Sequence, residues 1–278
     1  MADPNCNRNL LNGARAYLSG PMDFVASRVH EMEYGWRNRM RQFLTHYGVT
    51  VFNPWHKPLV RGLSGYGEEE QRSSELKRLW TFKPGPEGAQ ARAQVSAGYS
   101  ETVHIDLRMV DISDFVIAYC PTNIYSVGTP HEIIVATQQH KPVLFVSPPV
   151  EFCTLAGLRK KAAGDPELRE LVAQLVDEVP IHENPSGIPS LWYIPIVGSE
   201  NFFDGFGFNL YKDRFGWEAD KQMEKELEQP PDRPLLPFLE QLASGHYPQR
   251  WDPREQAFKN DDDWLLLEDA LGQGSPAE

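Results

Sequence analysis

Phe115-Val116-Ile117-Ala118-Tyr119-Cys120 is the stretch that most limits what this chain can fold into. Its apolar residues run on without alternation. A strand with one wet face alternates polar and apolar side chains, whereas a strand covered on both faces reads as a near-continuous apolar run. A parallel sheet between two helical layers is therefore expected around it. Asp111 and Asp114 precede the run, at the end of an expected helix. A loop with Pro121 and Gly128 follows, and then a helix read as carrying Glu132 in its first turn. In open α/β sheets, ligands bind beyond the carboxyl ends of the strands. Glu132 thus stands where a substrate would.

The flanking sequence repeats the same grammar. Residues 14–19 read as a first strand, closed by Gly20-Pro21. From Val25 the apolar residues Val29, Met32, Trp36, Met40, Phe43 and Tyr47 fall three or four apart, which predicts one helix stopped at Gly48. Residues 49–52 are a short strand ended by Asn53-Pro54, so the unit is strand–helix–strand with a parallel pair and a right-handed crossover. Residues 55–96 are less regular and are read as an insertion, a lid, an oligomer contact or a solvated surface excursion. A helix over 68–80 is expected there, broken at Lys83-Pro84-Gly85-Pro86. Residues 102–110 and 128–140 are predicted helices, and 143–146 is another buried strand after Lys141-Pro142. Residues 151–161 and 166–176 look helical. The expected fold is α/β, a flavodoxin- or Rossmann-like parallel sheet with helices on both faces.

Beyond residue 180 the pattern weakens. Residues 191–197 are read as an additional strand, 201–209 as a Gly/Phe-rich loop, and 213–228 as a helix before a Pro-rich break at 230–237. Asp261-Asp262-Asp263 ahead of Trp264-Leu265-Leu266-Leu267 predicts a short helix, and the last seven residues are expected to be disordered. The division expected is an α/β domain over 1–180, with its insertion at about 55–96, and a C-terminal extension over 181–278 that packs on the core or on a neighbouring subunit.

Composition excludes several classes. Lys+Arg number 27 against 39 Asp+Glu, a net charge of −12. Such a surface repels a nucleic acid polymer but permits a local pocket for a small nucleotide. Cys6, Cys120 and Cys153 show neither a zinc spacing nor a disulfide framework, which fits a reducing, cytoplasmic setting. The first residues lack a signal-peptide pattern, and no apolar run approaches the ~20 residues of a membrane span. No metal and no cofactor are expected. His30, His46, His56 and the cysteines form no ligand set.

Thr129-Pro130-His131-Glu132 has two readings. As a capping box, Thr129 is the N-cap, Pro130 the first helical residue and Glu132 the reciprocal acceptor. As chemistry, a carboxylate near a helix N-terminus is favoured in its ionised form and can attack an electrophilic sugar carbon. Tyr17-Leu18-Ser19-Gly20-Pro21 ends at the same rim if the two strands are neighbours, and its turn would bring backbone amides towards a ligand. It is also an ordinary strand-ending turn. Asp114 is read as a helix-to-strand turn residue and Asp111 as either turn or catalyst. His104 and His131 lie close in sequence, and the aromatic loop 202–208 is read as base stacking or, more simply, as packing.

Taken together, Tyr17-Leu18-Ser19-Gly20-Pro21, Asp106, the segment from Asp111 to Ile117, Val127-Gly128-Thr129-Pro130-His131-Glu132 and Lys141-Pro142-Val143 resemble the nucleoside 2-deoxyribosyltransferase family, including its deoxynucleoside 5′-monophosphate N-hydrolase relatives. The resemblance covers roughly residues 14–150. It implies a flavodoxin-like sheet and a two-step displacement. Glu132 matches the family's nucleophile, Tyr17 a tyrosine that orients it, and Asp106 an aspartate that assists the leaving base. Ser19, Gly20, Pro21, Ser126 and Gly128 are the expected substrate-binding positions. Where the transferases carry an aspartate that holds a free 5′-hydroxyl, this chain has Ser126, as the monophosphate hydrolases do. A hydroxyl tolerates a 5′-phosphate that a carboxylate would repel.

The expected activity is cleavage or exchange of the N-glycosidic bond of a (deoxy)nucleoside or nucleoside 5′-monophosphate through a glycosyl-Glu132 intermediate. The alternatives are a non-catalytic nucleotide-binding or sensing protein, and an N-glycosidase for another ribosyl compound. The expected partners are a small nucleoside or nucleotide and further copies of the chain, as a homodimer or higher homo-oligomer, with no membrane.

Overall fold

A computed structural model describes residues 8–22, 28–56, 69–179, 183–218, 231–261 and 263–264. Five parallel strands make the central sheet: β1 (Arg15–Ser19), β2 (Thr50–Phe52), β3 (Phe115–Tyr119), β4 (Val143–Val146) and β5 (Phe202–Phe203). Their order is β2-β1-β3-β4-β5. The chain leaves β1 for β2 on one side and returns to β3 on the other, so the strand order reverses between β1 and β3. That reversal opens a crevice beyond their carboxyl ends.

Helices cover both faces, as the apolar run predicted. Helix α1 is Arg28–Glu33 and α2 is Trp36–His46, while α3 (Glu69–Leu79), α4 (Gly85–Ile112) and α5 (Gly128–Gln138) follow. Then come α6 (Cys153–Ala162), α7 (Pro166–Glu178), α8 (Ile194–Val197), α9 (Lys212–Phe215) and α10 (Leu235–Ala243). Strands β6 (Gln249–Asp252) and β7 (Ala257–Asn260) form a separate antiparallel pair.

Alternation along each strand sorts the core into two layers. Ala16, Leu18, Phe115, Ile117, Leu144 and Val146 face α2 and α10, where Met40, Phe43, Leu236 and Leu239 are fully buried. Tyr17, Val116, Ala118 and Phe145 face the other way, onto Met109 and Val110 of α4 and Ile133 and Ala136 of α5. Each large apolar side chain so buried contributes about 1.5–3 kcal/mol. Because Tyr17 and Ser19 share a face, both are delivered to the α4/α5 side.

Several expectations are corrected. The helix expected from Val25 onwards is two helices over its described part, because Gly35 lies extended between α1 and α2, with no room for a Cβ beside the Glu31 carbonyl. Residues 23–27 lie outside the described residues. The helix expected over 102–110 is the last part of a 28-residue helix, α4. Pro86 sits in its first turn, where a missing amide proton costs nothing. The latter part of the expected insertion, from residue 85, is therefore continuous with the helix that carries Asp106, and Leu76 of α3 packs on its Gly98.

Residues 191–197 form a turn and α8 rather than a strand. Pro195 removes an amide a ladder would need and starts a helix instead. The fifth strand comes from the segment read as a loop, and its two residues are too few to show a period. The helix expected over 213–228 ends, in its described part, at Gly216, which takes a left-handed conformation at φ 62°. Trp264 is buried, its ring 5.6 Å from that of Phe115. Residues 265–278, with the end of the expected tail helix, lie outside the described residues, as does Cys6.

Candidate active site

The site forms at the strand-order reversal. β1 pairs with β3 in the register Leu18↔Ile117 and Ser19↔Ala118, so the two strands end side by side. The loop after β3 leads into α5, and α4 runs alongside it. Between them lies a cavity of about 240 Å³.

Glu132 is at its floor. The residue is 8% exposed, and both carboxylate oxygens are engaged. The Tyr17 hydroxyl donates to Oε1 at 2.8 Å, and the Ser19 hydroxyl donates to Oε2. Tyr17 and Ser19 are fully buried behind it. Burial, and then the charges of Glu132 and Asp106, push the Tyr17 phenol well above its usual range. Tyr17 therefore stays neutral and a donor throughout the physiological range.

The capping box is not what forms. Helix α5 starts at Gly128, with Val127 as its N-cap and no side-chain cap bond. Thr129 lies inside the helix, and its hydroxyl meets that of Ser126 at 2.9 Å. Glu132 is the fifth helical residue rather than a first-turn acid. Its carboxylate turns towards β1, not back to the helix start. The residue pattern was right for a helix start, but the helix begins one residue before the expected cap, a common boundary ambiguity.

The remaining expected positions separate into two groups. Asp106, Gly20, Ser126 and Gly128 line the cavity with Glu132. A Cβ on Gly128 would sit 4.0 Å from Glu132 Oε1, in ordinary contact. Ser19 is spent on Glu132, and Pro21 is buried with its carbonyl turned to Arg37. Asp111 and Asp114 are at the opposite end of β3. Asp114 accepts from the Arg15 amide at 2.8 Å and from its guanidinium at 2.7 Å, and Asp111 accepts from Gln139. Neither lines the cavity.

Sequence reasoning missed one wall. Tyr99, Thr102 and Val103 line the cavity beside Asp106. Their spacing of three, one and three residues marks one face of a helix, a signal present in the sequence had α4 been read as continuous. Met22, Tyr125 and His131 are among the other residues that line it. His104 is exposed, outside this lining. The aromatic loop is core: Phe206 stacks on Trp36 at 5.3 Å, and Phe203 and Phe208 are buried. Burial and Glu132 push the Cys120 thiol far above its usual range, so it is no nucleophile at neutral pH.

Among the described residues, no group of three or more His, Cys, Asp or Glu side chains is placed to hold a metal ion, and no helix is long and apolar enough to cross a membrane.

No family model matches the chain, and no curated protein matches it. Among solved structures, the chain is similar to a 2-deoxyribosyltransferase from the psychrotolerant bacterium Bacillus psychrosaccharolyticus. Identity is 21%, the likeness covers 50% of this chain and 76% of that one, and the TM-score is 0.28.

Proposed function

We propose that the protein cleaves or exchanges the N-glycosidic bond of a (deoxy)nucleoside or nucleoside 5′-monophosphate, with Glu132 as the nucleophile. The observation that carries the reading is the holding of one nearly buried carboxylate by two hydroxyl donors at the floor of a cavity that Asp106 also lines. A structural carboxylate would be satisfied in the same way, but it would not face an open cavity beside a second carboxyl group.

The chemistry follows that of a retaining glycosidase. Glu132 attacks the anomeric carbon as the bond to the base breaks, and the bond's electron pair leaves with the base. Asp106 assists the departing base by proton transfer. A glycosyl ester on Glu132 results. Water then attacks the anomeric carbon in a hydrolase, or a second base does so in a transferase, and Glu132 is released as a carboxylate. Tyr17 and Ser19 keep their hydrogen bonds aimed at the carboxylate that must be regenerated, at no cost of reorganisation. Ser126 and the start of α5 supply a hydroxyl and helix-terminal amides, a setting that suits a 5′-phosphate.

The test is a panel of nucleosides, their 5′-monophosphates and a free acceptor base, followed by chromatography for released base and exchanged product. Base release without exchange identifies a hydrolase, and exchange without net release identifies a transferase. Binding without either reaction overturns the enzymatic reading and leaves a nucleotide-binding protein.

A further inference from the structure

We infer that Arg37, on α2, is a positioning residue for this site: it holds the turn that ends β1, and with it the Ser19 hydroxyl and the Gly20 wall, against the Glu132 carboxylate. No motif points to Arg37. Its placement does.

The side chain is fully buried, at 0% exposure. A guanidinium taken out of water is costly unless its donors are satisfied, and a helix face that needed only bulk is served better by leucine or methionine. Here the donors converge on a single turn. Nε donates to the Leu18 carbonyl at 3.2 Å, Nη2 to that of Gly20 at 2.6 Å, and Nη1 to that of Pro21 at 3.2 Å. The turn runs on past the last residue of β1, where strand pairing no longer orders the backbone, and the planar fork supplies donors in its place. The guanidinium carbon lies 4.8 Å from the Trp36 ring centroid and 6.0 Å from that of Trp55, which fixes the plane of the fork.

The turn therefore has a buried cation on one side and a buried carboxylate on the other. Tyr17 and Ser19 reach across to Glu132, while Leu18, Gly20 and Pro21 reach back to Arg37. Gly20 is the close approach between them: a Cβ there would stand 3.1 Å from Arg37 Nη2 and 2.9 Å from the Trp36 ring. Burial pulls the guanidinium below its usual range, against the opposing electrostatic influence of the Tyr17 phenol and of the Glu31, Glu132 and Asp106 carboxylates. These come from β1, α1, α5 and α4 in turn.

One arm of the test rests on the N-glycosidic reading and the other does not. Arg37→Lys keeps the charge and loses the fork, and Arg37→Met keeps apolar bulk and loses both. In each full-length variant, amide hydrogen exchange at residues 19, 20 and 22 is read against the amides of β3 and β4 in the same molecule. The expected result is exchange about tenfold faster or more at the turn, with β3 and β4 unchanged. Base release should lose about tenfold or more in kcat per folded molecule while KM stays within about threefold, with the lysine variant the milder. A folded variant with wild-type exchange at the turn overturns the inference, and so does a loosened turn with wild-type kcat. If the wild-type protein neither releases nor exchanges a base, the functional reading fails, and the hydrogen-exchange arm alone decides Arg37. If Arg37→Met does not fold, Arg37→Lys is judged by the same outcomes.

Discussion

The Tyr17 hydroxyl donates to Glu132 Oε1 at 2.8 Å across 115 residues of chain. Glu132→Gln keeps an acceptor for that hydroxyl and removes the nucleophile. Turnover should fall on the order of 10³-fold or more, as loss of a nucleophile does elsewhere. Stability should change by only about 1 kcal/mol. Base release and urea unfolding on one preparation check both numbers. A stable variant with wild-type turnover would mean that Glu132 is structural.

Tyr17→Phe removes a donor from a nearly buried carboxylate, so it should cost about 1–3 kcal/mol. The phenol also links stability to pH. Its folded pKa is raised by burial, Glu132 and Asp106, so the folded state keeps the proton that the unfolded state releases near pH ~10. The stabilisation is complete below that pH and is lost as pH rises through the folded value. Tyr47, Tyr193 and Tyr211 are raised too, which is why the difference between variant and wild type is the relevant quantity. The destabilisation by Tyr17→Phe should shrink above about pH 10 when urea midpoints are compared.

Ser126→Asp puts a carboxylate on the cavity wall at the start of α5. A 5′-phosphate would then meet a like charge, and about 1.4 kcal/mol of repulsion raises KM tenfold. KM for a nucleoside 5′-monophosphate should rise by that much, while the free nucleoside is spared. Equal effects on both substrates would place the phosphate elsewhere.

Gly20→Ala is a packing prediction. The new methyl group would meet Trp36, Arg37 and the Tyr119 carbonyl at 2.9, 3.1 and 3.2 Å. Overpacking of this kind costs about 1–3 kcal/mol. Chemical denaturation measures it directly, and an unchanged midpoint would show that the turn can yield.

Trp264→Ala tests how far the chain's last described residue belongs to the fold. Trp264 is 2% exposed and lies beside Phe115 and Phe238. Emptying that position should cost about 3–5 kcal/mol. A loss below about 1 kcal/mol, within the range of surface substitutions, would mean that the tail is dispensable.

What was legible in the chain was local. The unbroken apolar run at Phe115 announced a strand covered on both faces, and β3 is such a strand. The strand–helix alternation over residues 14–150 announced the parallel sheet. Two prolines carried more than was read from them. Pro86 was taken only as part of the break after the helix expected over 68–80, and Pro195 was passed over inside an expected strand, yet each stands in a helical first turn, where proline is at home. Reading Pro86 that way would have joined residues 85–112 into one helix and revealed the Tyr99–Asp106 face. Strand β5, by contrast, carries no periodic signal in its two residues, and only pairing with β4 makes it a strand.

By itself the sequence determined the strands β1 to β4 and the helices between them in outline, and that Tyr17 and Ser19 lie on one face of β1, because hydrophobic period and backbone stereochemistry act over a few residues. Only the tertiary structure decided what that face meets. The order β2-β1-β3 sets the ends of β1 and β3 side by side, and α4 and α5 then cover the face that Tyr17 and Ser19 present. A carboxylate that local pattern assigned to a helix cap is thereby turned onto two hydroxyls from a distant strand. The reason is physical: the hydroxyls of Tyr17 and Ser19 and the carboxylate of Glu132 are buried together, and once buried each must find its hydrogen-bonding partner in whatever the fold brings alongside.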